Sequence, residues 1–575
     1  MISRRALLRL GAAAAATPAM SALVGVARSI PAAAAGSDIE EITVARIQAA
    51  MASGELSARS LVEKYLERIE AIDRNGPHLN SVIETNPDAE AIARQLDAER
   101  RAGHVRGPLH GVPVLLKDNI DTHDRMQTTA GSLALVGRPA SSDATVAAKL
   151  RAAGAVIMGK TNLSEWANFR SLHSSSGWCG RGHQCNNPYA IDRNPCGSSS
   201  GSGAAPSANL TAVSIGTETD GSIVCPANAN GVVGLKPTVG LVSRAGVIPI
   251  SHSQDTIGPH TRTVADAAAV LDAIASRTPD SRDAATNHGR TLPASYSSFV
   301  TANGLRGKRI AVAREGVTGY SEEVDAAYED AIAAIRAAGA TVFDPADIPT
   351  IGEINSSLDE FIVLVFEFKD DLNKYLATRS GIALDREGFA RTLGGLIAYN
   401  DRHADTELKF FEQEIFHFAE DRNLFGIDLT EALYLEALAN DIRRGGADGI
   451  DALLRSMTPR LDAIVAPTGA PAWTTDLING DHFLGASSSA AAIAGYPIIN
   501  VPMGNVFGLP MGISFMGTAF SEGTLIACAA GFEAQAKARR VPKLLATLPL
   551  EGGAPRRRRR KDDGREESKP RMRSL

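Results

Sequence analysis

Apolar and polar positions along this chain follow two periods that succeed one another. Residues 57–73 (SARSLVEKYLERIEAID) place Leu61, Tyr65, Leu66, Ile69 and Ile72 at three- and four-residue spacing. That spacing predicts one buried helix face, with Ser57 as the N-cap. Residues 112–116 (VPVLL) form a short apolar run between Gly111 and Lys117-Asp118-Asn119, the pattern of a buried strand. Helical spacing returns over 144–153 and a strand pattern over 155–158 (AVIM). Residues 309–313, 322–338 and 341–343 read as strand, helix and strand, and 462–466 and 498–501 add two apolar runs. From residue 37 to 548 there is no long low-complexity linker and no repeat. The alternation predicts an α/β protein, a single large domain whose mixed β-sheet is covered on both faces by helices.

The two ends depart from this pattern. Residues 1–35 carry basic Arg4, Arg5 and Arg9, then an Ala/Leu/Val run, then small residues at Ala33-Ala34-Ala35. This is the three-part layout of a secretory signal. The pair in Ser3-Arg4-Arg5 points to the twin-arginine route, hence to the twin-arginine export machinery as a partner and a periplasmic or extracellular location. Arg9, Gly11 and Pro18 leave the apolar run short for a spanning helix, and no other segment is long and apolar enough, so no stable membrane insertion is expected. From Pro555 the chain carries ten basic and four acidic residues and almost nothing apolar. Residues 549–575 are therefore expected as a solvated, disordered tail behind a domain spanning 36–548.

Net charge is −6, which disfavours general nucleic-acid binding. The five cysteines, Cys179, Cys185, Cys196, Cys225 and Cys528, make no dense disulfide framework. Cys179 and Cys185 are the nearest pair should one form after export, and free buried thiols are expected at the other three. The chain has neither C-x-x-C nor H-E-x-x-H, so the usual zinc signatures are missing and no metal or cofactor is expected.

Two motifs are decoys. Residues 154–161 (GAVIMGKT) satisfy the phosphate-loop pattern, but that loop must follow a strand and open a helix. Here AVIM reads as an interior strand, so Lys160 is expected in a structural role at its end. Gly197-Ser198-Ser199-Ser200-Gly201 satisfies G-x-S-x-G, whose serine must follow a central strand. The preceding NNPYAIDRNP is rich in turn formers and cannot be that strand, which argues against Ser199 as a nucleophile even though His252, His260, His403 and His417 lie downstream.

Three segments remain. The first is GVPVLLKDN, ending on Lys117-Asp118-Asn119; the second is PCGSSSGSG, residues 195–203. The third is GTETDGSIVCP, residues 216–226, a turn after the apolar residues 212–215. Consecutive amides around a glycine in such a turn can converge on one anion.

Together these segments resemble the amidase signature family, hydrolases with a Ser–Ser–Lys triad. The Gly/Ser stretch is similar to the family's GGSSGGS signature, and Ser198 precedes Ser222 by 24 residues, the separation the family keeps. GKTN (159–162), GVVGLKPT (231–238) and GLP (508–510) are also family-like, and the resemblance runs from about residue 40 to 540. It implies the amidase signature fold and an amidase catalytic domain over 36–548. It implies Ser222 as nucleophile, Ser198 as proton relay after a cis peptide bond, and Lys117 as base. It also implies an oxyanion hole from the backbone amides of Thr219, Asp220, Gly221 and Ser222. Cys196, Ser200, Gly203 and Asp220 depart from the family pattern, and a carboxylate at 220 would oppose an oxyanion unless it points away.

The physics agrees. A serine hydroxyl needs an adjacent base, and a lysine becomes one at neutral pH only if burial lowers its pKa by about three units. The KTNLSEWANFR, CGSSSGSG and TETDGSIVCPA stretches look most like bacterial peptide amidases, which take ammonia from C-terminal carboxamides. Position 225 holds Cys, so no arginine stands there for a substrate carboxylate. By that resemblance the expected partner is an amide substrate, first the C-terminal carboxamide of a peptide, with a general aliphatic or aryl amide second. An exported binding protein with a vestigial triad is the alternative from another class.

Overall fold

The computed structural model describes residues 38–549; the signal sequence expected over 1–35, and all but the first residue of the tail expected over 549–575, lie outside them. The strands are β1 (Val82–Thr85), β2 (Pro113–Lys117), β3 (Val156–Thr161), β4 (Val213–Glu218), β5 (Val233–Lys236), β6 (Thr256–Thr261), β7 (Arg309–Val312) and β8 (Thr341–Phe343), of which β1, β5 and β6 are not marked by the apolar runs, followed by a small hairpin of β9 (Asn423–Leu424) and β10 (Ile427–Asp428). β11 (Ala463–Pro467), β12 (Ile498–Val506) and β13 (Leu509–Met516) complete the set. All but the hairpin join one sheet in the order β1-β3-β2-β4-β6-β5-β12-β13-β11-β7-β8. It is mixed: β2 runs parallel to β3 and β4, and β7 parallel to β11 and β8, while the remaining neighbours are antiparallel.

Unbroken apolar strands follow from burial of both sheet faces. Along β11, Ala463 and Val465 enter one apolar cluster while Ile464 and Ala466 enter another. β7 divides likewise, with Ile310 and Val312 on one side and Ala311 on the other. Side chains alternate across a strand, so both faces must be covered. Helices Ala58–Arg68, Val264–Ile274, Glu322–Ala337 and Glu522–Ala536 supply residues to the first cluster. Helices Ile351–Ser356, Asp451–Arg455 and Ser489–Ile493 supply the second. Ser57 caps its helix as expected, accepting the Ser60 amide, and the helix continues as a π-helical turn over Ile69–Arg74.

Two features differ from the sequence reading. The Gly/Ser stretch is a loop only as far as Ser199; Ser200–Ser207 is a helix buried along its whole length. Its side chains are small enough for the backbone to press against its neighbours. A Cβ on Gly201 would stand 2.1 Å from the Ser81 carbonyl oxygen. The second is a helical layer over residues 359–442 that the pattern reading leaves unassigned. Helices Asp359–Thr378, Leu393–Arg402, Glu414–Asp421 and Glu431–Ile442 build their own apolar core with Trp166, Phe169, Ile248 and Ile250. No helix among the described residues is long and apolar enough to cross a membrane.

Candidate active site

β2 delivers Lys117 at its C-terminal end, and β4, parallel beside it, delivers Thr217 and Glu218. Strand ends in an open α/β sheet place side chains at a common rim, where the following loops gather. The Lys117 Nζ lies 2.8 Å from the Ser198 Oγ, 2.8 Å from the Thr217 Oγ1 and 3.4 Å from the Thr217 carbonyl oxygen. Asn119 Nδ2 donates to the same Thr217 hydroxyl at 3.0 Å. Lys117 is fully buried, and burial pushes its pKa down to about 7, against a smaller upward pull from the carboxylates of Asp255 and Glu218.

Lys117 is one of three fully buried lysines among the described residues, and its partners set it apart. Lys160 donates to the Ile120 carbonyl at 2.7 Å and the Thr128 hydroxyl at 2.8 Å. Lys236 donates to the carbonyls of Ala491 and Tyr496. Both serve the fold, and the residues resembling a phosphate loop are strand β3, buried throughout. Only Lys117 among the three meets a serine hydroxyl.

Ser198 follows a cis peptide bond from Gly197. Ser199, the centre of the elbow-like motif, instead spends its hydroxyl on Thr217, donating to its carbonyl at 2.9 Å and accepting its amide at 3.2 Å. Ser222 sits in the turn between β4 and helix Val224–Ala229, close enough for its carbonyl to accept the Ser199 amide at 3.3 Å. Exposure rises along the set, from 0% at Lys117 through 1% at Ser198 to 9% at Ser222. Ser222 is thus the least buried of the three.

The turn bearing Thr219, Asp220, Gly221 and Ser222 is held from both sides. The buried Glu218 carboxylate accepts the amides of Ile223 at 2.6 Å and Val224 at 3.0 Å, and the Thr219 hydroxyl donates to Asp255 at 2.7 Å. Gly221 has φ +79°, a left-handed conformation that favours glycine. The Asp220 carboxylate accepts hydroxyls from Ser488 at 2.5 Å and Ser489 at 2.8 Å. It is thus directed to the 488–489 segment, which answers the objection that its charge raises.

The cysteines correct the sequence reading. Cys196 and Cys225 form a disulfide with Cα atoms 5.9 Å apart, while Cys179, Cys185 and Cys528 are free and buried. Nearness in sequence is the wrong guide here, because the fold brings together segments 29 residues apart. Of the histidines, His260 is buried with its Nε2 against the Ile223 carbonyl, and burial pushes its pKa down to about 3. His252 lies instead against Asp371, at 2.7 Å, and Glu367, at 3.3 Å, on the helix Asp359–Thr378. A cavity of about 760 Å³ lies beside the site, lined by its neighbours Asn119, Thr217 and Thr219 and not by Lys117, Ser198 or Ser222 themselves, with Ile248, Ile250 and Tyr375 among its apolar walls.

Known proteins resemble this chain over most of its length. The amidase family model matches residues 60–526. A probable amidase of Arabidopsis thaliana is 43% identical over 516 residues, covering 88% of this chain and 92% of its own length. The crystal structure of a peptide amidase from Stenotrophomonas maltophilia superposes with a TM-score of 0.81 at 49% identity, covering 88% of this chain and 99% of that one. That of an amidase family protein from Bacillus anthracis superposes with a TM-score of 0.77 at 32% identity, covering 88% of this chain and 93% of that one. With a buried lysine on a serine hydroxyl inside a mixed sheet of this form, the chain belongs to the amidase signature family of amide hydrolases.

Proposed function

We propose that the protein hydrolyses the C-terminal carboxamide of peptides through an acyl-enzyme on Ser222, releasing ammonia. One observation carries the reading: a fully buried Lys117, its pKa near 7, lies 2.8 Å from the Ser198 hydroxyl. A neutral amine has two N–H groups and one lone pair. The hydroxyl and carbonyl of Thr217 take the two N–H groups, leaving the lone pair to accept the Ser198 proton.

Ser198 then accepts the Ser222 proton as the Ser222 Oγ attacks the amide carbon. The oxyanion faces the amides of Thr219, Asp220, Gly221 and Ser222, dipoles already in place before charge develops. The proton returns through Ser198 to the amide nitrogen, the C–N bond breaks and ammonia leaves. Water gives up a proton along the same relay, attacks the acyl carbon and frees the carboxylic acid. One amide and one water yield one acid and one ammonia.

Peptide carboxamides are favoured by the likeness to the Stenotrophomonas peptide amidase and by Cys225, which is held in a disulfide and offers a substrate carboxylate no cation. Export by the twin-arginine machinery to the periplasm or beyond is part of the same reading. A disulfide between the serine-bearing segments suits an oxidising compartment. The test is ammonia release from an N-blocked dipeptide amide, a free amino-acid amide and a simple aliphatic amide. Release from the dipeptide amide, lost in Ser222→Ala, is expected. Activity on the small amides alone overturns the peptide assignment.

A further inference from the structure

We propose that the Cys196–Cys225 disulfide is a positioning element for catalysis, coupling the segment that carries Ser198 to the turn that carries Ser222. The proposal rests on the roles assigned above to those two serines. Cys196 lies two residues before Ser198 and Cys225 three after Ser222.

Each cysteine is also fastened into its own serine's turn. The Cys225 amide donates to the Gly221 carbonyl at 2.7 Å, closing the turn around Ser222. The Cys196 carbonyl accepts the Ser200 hydroxyl at 2.7 Å, closing the turn around Ser198. The sulfur bridge therefore joins two closed turns with one reacting serine inside each. Hydrogen bonds tie the same segments: the Ser199 N–H donates to the Ser222 carbonyl at 3.3 Å, the Ser199 hydroxyl donates to the Thr217 carbonyl at 2.9 Å and accepts its amide at 3.2 Å, and Asn230 Nδ2 donates to the carbonyls of Pro195 at 2.9 Å and Pro226 at 2.7 Å. Proton relay between two hydroxyls needs them held to within a fraction of an ångström, and hydrogen bonds alone leave more play than a covalent link.

The bridge packs against Tyr189, Ala472, Trp473 and Leu509, and Cys225 keeps partial exposure, so a small reductant can reach it. The three remaining cysteines are buried. Opening the bridge is a two-electron reduction: an external thiol or phosphine is oxidised, and the S–S bond becomes two thiols. The protein would thus turn over slowly in a thiol-rich compartment and gain rate once oxidised.

The test compares oxidised, reduced and re-oxidised protein below its melting temperature. Peptide mass after alkylation verifies that Cys196 and Cys225 alone are opened, and near-ultraviolet circular dichroism verifies the fold. Reduction is expected to lower kcat tenfold or more, an order-of-magnitude loss typical of a small misplacement. KM is expected to stay within about twofold, and re-oxidation to restore kcat. Cys196→Ser/Cys225→Ser should show the same split. Unchanged kcat in the reduced protein overturns the proposal, as does a rise in KM alone or a loss of activity that only tracks unfolding. Ser222→Ala in the oxidised protein is read separately: activity retained there removes the nucleophile assignment, and this proposal with it.

Discussion

The Nζ of Lys117 and the Oγ of Ser198, 81 residues apart in sequence, lie 2.8 Å apart in the interior. Burial has brought the Lys117 pKa to about 7, so the amine is half neutral at that pH. On the proposed mechanism only the neutral form works. kcat/KM should rise with pH through a single acid limb near 7 and level above it. A profile flat between pH 5 and 8 would contradict a lysine base.

The same burial has a cost in stability. Lys117 titrates near 7 in the folded protein and near 10.4 when unfolded. Between those values the unfolded chain binds the extra proton, so this group makes stability rise with pH; below 7 the cost is fully present. Lys117→Met should abolish turnover. Its stability relative to the parent should be most favourable at pH 6 and fall steadily towards pH 10, read from denaturant midpoints. A difference that does not change with pH counts against the buried amine.

Asp255 pulls the Lys117 pKa upward, and burial has raised its own to about 6. It is therefore mostly ionised where Lys117 titrates. Asp255→Asn removes that pull, so the acid limb of the rate profile should move to lower pH. Movement to higher pH would reverse the sign of this electrostatic effect.

His252 clasps the 244–255 segment to the helical layer. The hydrogen bond to Asp371 raises its pKa above the ordinary histidine value, with Glu367 adding to the effect while burial and Arg244 oppose it; Lys374 competes for Asp371. A raised folded pKa means stabilisation fully present below about 6.5 and lost as pH climbs through the folded value. His252→Ala should lower the melting temperature at pH 6 and much less at pH 9. Equal losses at both would show that the clasp acts by packing.

Gly201 presses on the Ser81 carbonyl, so Gly201→Ala forces a Cβ into backbone only 2.1 Å away. Overpacking of this kind costs about 1–3 kcal/mol. A chemical denaturation midpoint unchanged by Gly201→Ala would contradict the packing described for the buried Gly/Ser helix.

Several features are legible in the sequence because their cause is local. The run ahead of Lys117, the helix capped by Ser57 and the strand over 155–158 follow from periodicity and burial, and the structure bears out each one. The Gly/Ser stretch reads as a loop because its composition resembles one. It becomes a helix because tertiary packing rewards residues with almost no side chain. The Cys196–Cys225 bridge depends on the fold bringing two turns together, and neither spacing nor hydropathy reports that. The helical layer carries apolar stripes such as Ile362, Val363, Val365, Phe368 and Leu372, yet its core is separate from the sheet's and no motif marks it.

The most direct measurement is the site of covalent labelling by a fluorophosphonate, mapped by peptide mass at pH 8. One adduct is expected, on Ser222, formed roughly 10²–10⁴-fold more slowly in Ser198→Ala and Lys117→Met, the range for loss of acid–base assistance. Ser222→Ala should give no adduct. An adduct on another residue, or labelling that survives Ser222→Ala at the parent rate, would contradict Ser222 as the nucleophile.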